Sequence, residues 1–144
     1  MVTIKLKRDP SEIQRVTLAL EAFAKDRGLD GREIFQLSLC LDELLTNTMS
    51  YGYADRAEAD DDCDIGVSFG LIDDRLLLVL EDDGQPFDPL READTPDPDA
   101  DLDSRPIGGL GLHLVRTFMD ACRYIRIDDR NRLELEKRIT STQA

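Results

Sequence analysis

The sequence has no tryptophan, a single histidine (His113) and three cysteines, Cys40, Cys63 and Cys122, among 144 residues. The cysteines are odd in number and widely spaced, without a C-x-x-C pair, which argues against a disulfide framework and against a zinc site. One histidine is too few for most metal centres, and a nucleophilic triad would need it beside a suitable partner. Cys40 and Cys122 sit among apolar residues and read as buried small hydrophobes. Basic residues are in the minority: 18 Lys and Arg against 31 Asp and Glu give a formal charge of −13. Such a surface repels nucleic-acid phosphate and anionic lipid, so neither is expected as a direct partner. No run is apolar for long enough to span a bilayer, and the opening MVTIKLKRDP lacks the apolar stretch and cleavage site of a secretory signal. A cytoplasmic location is expected.

What is present is one domain, residues 1–144, long enough to bury a core without a disulfide or metal. Val2, Ile4 and Leu6 alternate with polar residues and predict a strand with one buried face. Asp9-Pro10-Ser11-Glu12 starts a helix carrying Ile13, Val16, Leu20 and Phe23 at helical spacing, and Gly28 ends it. A second helix is expected from about Gly31 to Ser50, with Ile34, Phe35, Leu37, Leu41, Leu44, Leu45 and Met49 forming a wide, deeply packed apolar arc. Ala54 to Asp64 reads as an exposed acidic loop. Ile65–Ile72 and Arg75–Leu80 around Asp73-Asp74 read as a hairpin. Five of the six prolines fall between Pro86 and Pro106, and an irregular loop of that length within a domain is often a lid or binding segment. Gly108-Gly109-Leu110-Gly111 opens a third helix. Tyr124–Ile127 and Leu133–Lys137 make a last hairpin around Asp128 to Asn131. Five strands and three helices predict an α/β fold, an α+β two-layer sandwich with one mixed sheet and its helices on one face.

Three polar features interrupt this apolar pattern. Glu43 and Asn47 are four residues apart and share a face of the second helix. The amide oxygen of Asn47 suits magnesium, and Glu43 could take a proton from a hydroxyl; an ordinary exposed polar stripe has the same spacing. Asp82-Asp83-Gly84 ends a strand, where ligands often bind in open α/β folds. There Asp82 could accept from a base amino group and Gly84 would permit close backbone approach, although Asp and Gly are also standard turn residues. Gly108-Gly109-Leu110-Gly111 offers backbone N–H groups at a helix start, which attracts phosphate, but it lacks the lysine of a P-loop and is weak taken alone.

The order and spacing of the three together are more telling. Leu39-Cys40-Leu41-Asp42-Glu43-Leu44-Leu45-Thr46-Asn47 resembles the N box of the GHKL ATPases. Glu81-Asp82-Asp83-Gly84-Gln85-Pro86-Phe87-Asp88-Pro89 resembles their G1 box, and Gly108-Gly109-Leu110-Gly111-Leu112 their G2 box. Within that superfamily the sequence is most similar to the short stand-alone anti-sigma-factor serine kinases. The domain size, Phe87-Asp88-Pro89, Phe118-Met119-Asp120 and a final hairpin with Asn131, Leu133 and Leu135 carry that likeness. Pro86 stands where histidine kinases commonly have another glycine.

The resemblance implies a Bergerat-type fold holding Mg2+ and ATP under a lid. It implies that Asp82 reads the adenine amine and Gly84 lets the base sit close, that Asn47 holds magnesium and that Glu43 is the general base. Gly109 and Gly111 would wrap the phosphates, with Gly108 and Leu112 in the same nucleotide site, and Arg105 is the lid candidate for the γ-phosphate. It further implies a homodimer that binds and phosphorylates a STAS-domain anti-anti-sigma protein on serine, and that otherwise holds a sigma factor or another client. The acidic lid residues Asp94, Asp97, Asp99, Asp101 and Asp103 are expected to face solvent or a partner. The alternatives are a nucleotide-sensing protein that sequesters a client without kinase activity, and a detached histidine-kinase catalytic domain.

Overall fold

The structure, a computed structural model, describes residues 1–55, 63–92 and 109–139, with the backbone only for 92 and 109–112. Strands β1 (Val2–Leu6), β2 (Ile65–Ile72), β3 (Arg75–Asp82), β4 (Ala121–Ile127) and β5 (Arg130–Arg138) form one sheet in the order β1-β2-β3-β5-β4. Every pairing is antiparallel, which corrects the expected mixed sheet. Two tight hairpins, β2–β3 and β4–β5, force antiparallel neighbours. The two remaining pairings, β1–β2 and β3–β5, also run antiparallel across helical connections.

Helix α1 (Ser11–Asp26) buries Ile13, Val16, Leu20 and Ala24, spaced three or four residues apart, so they fall on one stripe. Gly28, at φ 85°, follows it in the left-handed conformation that glycine adopts without a Cβ penalty. Helix α2 (Gly31–Asn47) begins at a capping box. The Glu33 N–H donates to Asp30 Oδ1 at 2.7 Å, and the Asp30 N–H reaches back to Glu33 Oε1 at 3.5 Å. Such a cap contributes about 1 kcal/mol. Leu37, Cys40, Leu41, Leu44 and Leu45 of α2 are buried, but Phe35 is 63 % exposed. At 100° per residue Phe35 lies about 160° around the helix from Leu37, so the buried arc is narrower than the run of apolar residues suggested. A short α3 (Pro89–Glu92) occupies part of the expected irregular loop, and α4 (Gly109–Phe118) is the predicted third helix. Cys40 is buried, whereas Cys122, on edge strand β4, is only half-buried.

The core lies between the sheet and the helices. It is built from Ile65, Val67 and Phe69 of β2, Leu76, Leu78 and Leu80 of β3, Leu133 and Leu135 of β5, and the helix stripes. Period-two alternation puts each strand trio on one face. The other face carries a charge ladder, in which Arg132 meets Glu81 and Glu134 and Arg130 meets Asp64. These pairs are partly exposed, so each contributes less than about 1 kcal/mol. The strands therefore have helices on one face and paired charges on the other. No helix among the described residues is long and apolar enough to cross a membrane.

Candidate nucleotide site

The buried-face ladder between β3 and β5 runs Leu78–Leu135, Leu80–Leu133, then Asp82–Asn131. Its last rung is polar and nonetheless buried, at 7 % and 4 % exposure. Buried polar groups need partners, and this rung has them. Asp82 Oδ1 accepts from Asn131 Nδ2 at 2.8 Å and from the Gly84 N–H at 2.9 Å. No described residue donates to Asp82 Oδ2. Burial pushes the Asp82 carboxyl above its ordinary value, against the two hydrogen bonds, which favour the ionised form. Asp82 is the end of β3 rather than a residue beyond it, and Asn131 lies in β5 rather than in the hairpin turn.

The hairpin turn itself is two residues, Asp128 and Asp129, at φ 53° and 59°. Two positive φ values in a two-residue connection match the twist of the strands. This tight turn fixes the register that sets Asn131 opposite Asp82.

Helix α2 stops at Asn47 rather than at Ser50, and its last turn opens into a π turn, Thr48–Gly52. Such turns are rare and recur at functional sites. Here the π turn delivers the α2 end to the Asp82 turn. The Gln85 N–H donates to the Gly52 carbonyl at 2.8 Å, and Gln85 Nε2 to the Tyr51 carbonyl at 2.7 Å. A Cβ on Gly84 would stand 2.3 Å from the Gly52 oxygen. Glycine is thus required at 84 by the approach of Gly52, whatever else approaches it. Tyr53 is fully buried, and its hydroxyl donates to Asp83 Oδ1 at 2.7 Å. Burial and that carboxylate together push its hydroxyl well above the usual tyrosine value. Tyr51 and Phe87 stack across the same junction, centroids 5.6 Å apart.

The N-box and G1-box residues are therefore brought together. Asn47 is 4 % exposed and its amide has no hydrogen-bond partner among the described residues. Glu43, one turn earlier, is half-buried and likewise unbonded. No buried side-chain polar atom among the described residues lacks a partner, so the unbonded amide of Asn47 reaches solvent, where its oxygen is available to a metal ion. Among the described residues no cluster of three His, Cys, Asp or Glu side chains could hold a metal by itself. A magnesium ion held by Asn47 would need phosphate oxygens to complete its shell, as is usual for this ion. Gly109, Gly111 and Leu112 lie in the first turns of α4, which packs on α2. Gly108, Arg105 and the five lid aspartates lie outside the described residues. The flanks of that segment are tied, since Arg116 of α4 donates to the Leu90 carbonyl of α3 at 3.1 Å.

The residues 6–137 match the family model described as the histidine kinase-like ATPase domain. The chain belongs to that family. Within it, the serine-protein kinase RsbW of Bacillus licheniformis is 30% identical over 131 residues, covering 88% of this chain and 78% of the relative. That of Bacillus subtilis is 28% identical over 125 residues, covering 85% and 76%. The chain is thus a member of the serine-protein kinases of this ATPase family, and ATP is its nucleotide. Solved structures agree on the fold. The RsbU and RsbW domains of Rv1364c from Mycobacterium tuberculosis superpose with TM-score 0.64 at 15% identity, over 96% of this chain and 32% of that one. The chain thus spans about a third of that larger protein. The SiaB-SiaC complex from Pseudomonas aeruginosa gives TM-score 0.57 at 13% identity, over 96% and 90%. The catalytic domain of the histidine kinase ThkA gives 0.53 at 12%, over 96% and 97%.

Sequence reasoning placed Asp82, Gly84, Glu43 and Asn47 but gave no role to Gly52, Tyr53, Arg126 or Asn131. The signal for Asn131 was available: in Asn131, Leu133, Leu135 it is the polar member of a buried-face alternation.

Proposed function

We propose that this chain works in a partner-switching module as an ATP-dependent kinase that phosphorylates a STAS-domain antagonist on serine. In this reading it also acts as an anti-sigma factor, or holds another client regulator, as a cytoplasmic homodimer. The observation that carries the proposal is the polar rung: a buried carboxylate with one oxygen tied and one open, at a strand end joined to the helix that bears Glu43 and Asn47.

Asp82 accepts the adenine amine through Oδ2. Asn47 would hold magnesium through its amide oxygen, and the ion would supply positive charge to offset that of the phosphates. By the family resemblance, Gly109 and Gly111 would wrap the phosphates, and Gly108, Leu112 and Arg105 are assigned to the same nucleotide site, Arg105 as the candidate for the γ-phosphate. Glu43 takes the proton of the substrate serine as its oxygen bonds the γ-phosphorus and the bond to ADP breaks. Phosphate on the antagonist then opposes rebinding by charge repulsion at an acidic surface. A non-enzymatic ATP sensor would have no use for Glu43, and Pro86 in the G1 box speaks against a detached histidine kinase.

Glu43→Gln tests the catalytic assignment. Nucleotide affinity should be unchanged and serine phosphorylation should fall on the order of a hundred-fold or more. An active Glu43→Gln kinase would refute the base assignment. Asn47→Ala should weaken only the magnesium-dependent part of ATP binding, measured by titration with and without the metal.

A further inference from the structure

Asn131 is as buried as Asp82 and has no part in the mechanism above. Its Oδ1 accepts from the Phe87 N–H at 3.3 Å, from Arg126 Nη1 at 3.1 Å and from the Tyr124 hydroxyl. Its Nδ2 donates to Asp82 Oδ1 and to the Gln85 carbonyl, both at 2.8 Å. The Phe87 N–H and the guanidinium can only donate, and the Gln85 carbonyl can only accept. Turning the amide over would set its NH2 against the Phe87 N–H and the guanidinium on one side and its oxygen against the Asp82 and Gln85 oxygens on the other. Its neighbours therefore dictate its orientation, and it meets Asp82 as a donor. Arg126 adds a second tie, donating to the Gly84 carbonyl at 2.8 Å.

We infer that Asn131 is a positioning residue that sets base specificity: it occupies Asp82 Oδ1, fixes the carboxylate plane and so presents Oδ2 alone, as an acceptor, to the base. A fixed acceptor matches the exocyclic amine of adenine and opposes the carbonyl oxygen of hypoxanthine or guanine. A carboxylate free to rotate or to take up a proton would discriminate less. Because Arg126 and Tyr124 hold Asn131 in turn, base selection is built by the β4–β5 hairpin as much as by β3. This rests on the reading of Asp82 as the adenine acceptor.

A double-mutant cycle tests it, with ATP and inosine triphosphate titrated into the wild type, Asn131→Ala, Asp82→Asn and the double variant. Asn131→Ala should lower ATP affinity about tenfold, the scale of a hydrogen bond to a charged group, while inosine triphosphate affinity changes less than about twofold. In the Asp82→Asn background it should cost little further ATP affinity, because the Oδ2 acceptor that Asn131 presents to the base is already replaced by a donor, even though the remaining oxygen still bonds Asn131. Equal losses for both nucleotides, or a full additional loss on top of Asp82→Asn, would make Asn131 merely structural and overturn the inference. Wild-type ATP affinity in Asp82→Asn alone would instead overturn the adenine reading. Should Asn131→Ala show no cooperative melt, Arg126→Met, which keeps the aliphatic stem, goes through the same cycle under the same criteria.

Discussion

At the scale of single residues, Asp82 holds a charge where burial disfavours one. A carboxyl whose folded pKa is raised binds its proton more tightly folded than unfolded. It contributes stability below the ordinary value of 3.8, and that contribution is lost as pH rises through the raised folded value. Asp82→Asn keeps an oxygen to accept from Asn131 and Gly84 and carries no charge. We expect it to melt at or above the wild-type temperature at neutral pH, with the difference closing as pH falls below 3.8. Thermal unfolding across that pH range checks this, and a variant less stable at pH 7 than the wild type would mean that the charge is better compensated than the geometry implies. The same residue was legible from sequence as a strand-end aspartate. Its partner was passed over, because Asp128-Asp129-Arg130-Asn131 reads as turn, although the alternation through Leu133 and Leu135 already extends to Asn131.

At the scale of elements, the site depends on how closely the α2 end and the β3 end approach. Gly84→Ala places a methyl 2.3 Å from the Gly52 oxygen, backbone against backbone. Overpacking of this kind costs about 1–3 kcal/mol, and it should also separate Asn47 from Asp82 and weaken nucleotide binding. Gly31→Ala is the control, since nothing lies within 4 Å of the added Cβ; in the first turn of α2 it should be neutral or slightly stabilising. Denaturant unfolding of the two variants separates crowding from a general effect of alanine. The β4–β5 turn offers a gain: Asp128→Asn with Asp129→Gly suits two positive φ values better than two aspartates do. The pair should raise stability by about 0.5–1 kcal/mol, read from the shift in melting temperature. A loss would mean that Asp128 or Asp129 carries a contact beyond its backbone. Element identity was the most legible level of all. Helical spacing marked α1 and α2, alternation marked β1, and β-rich runs around short polar turns marked both hairpins, yet Phe35 of α2 points outward because apolar character alone does not fix the buried arc.

At the scale of the whole molecule, the sheet order could not be read from sequence, because antiparallel and mixed arrangements bury the same alternating residues. The resemblance to a kinase family came from three short segments, and two of them converge through Gly52, Gln85 and Tyr53, none of which the motif names as a contact. If the proposed switching holds, a partner whose affinity differs between ATP and ADP states changes nucleotide affinity by the same factor, by reciprocal linkage. We expect STAS-domain affinity to differ between ATP, ADP and no nucleotide, and to weaken with added salt if the acidic lid contributes. Equal affinity in all three states would remove switching and leave an ATP-binding protein. The most direct measurement is of the transferred group itself. The chain is incubated with magnesium, ATP and a STAS-domain partner, and the modified residue is identified by mass spectrometry and by its stability to acid. Acid-stable phosphoserine on the partner is expected, absent with Glu43→Gln. Acid-labile phosphohistidine, or no phosphorylated partner despite bound ATP, would contradict it.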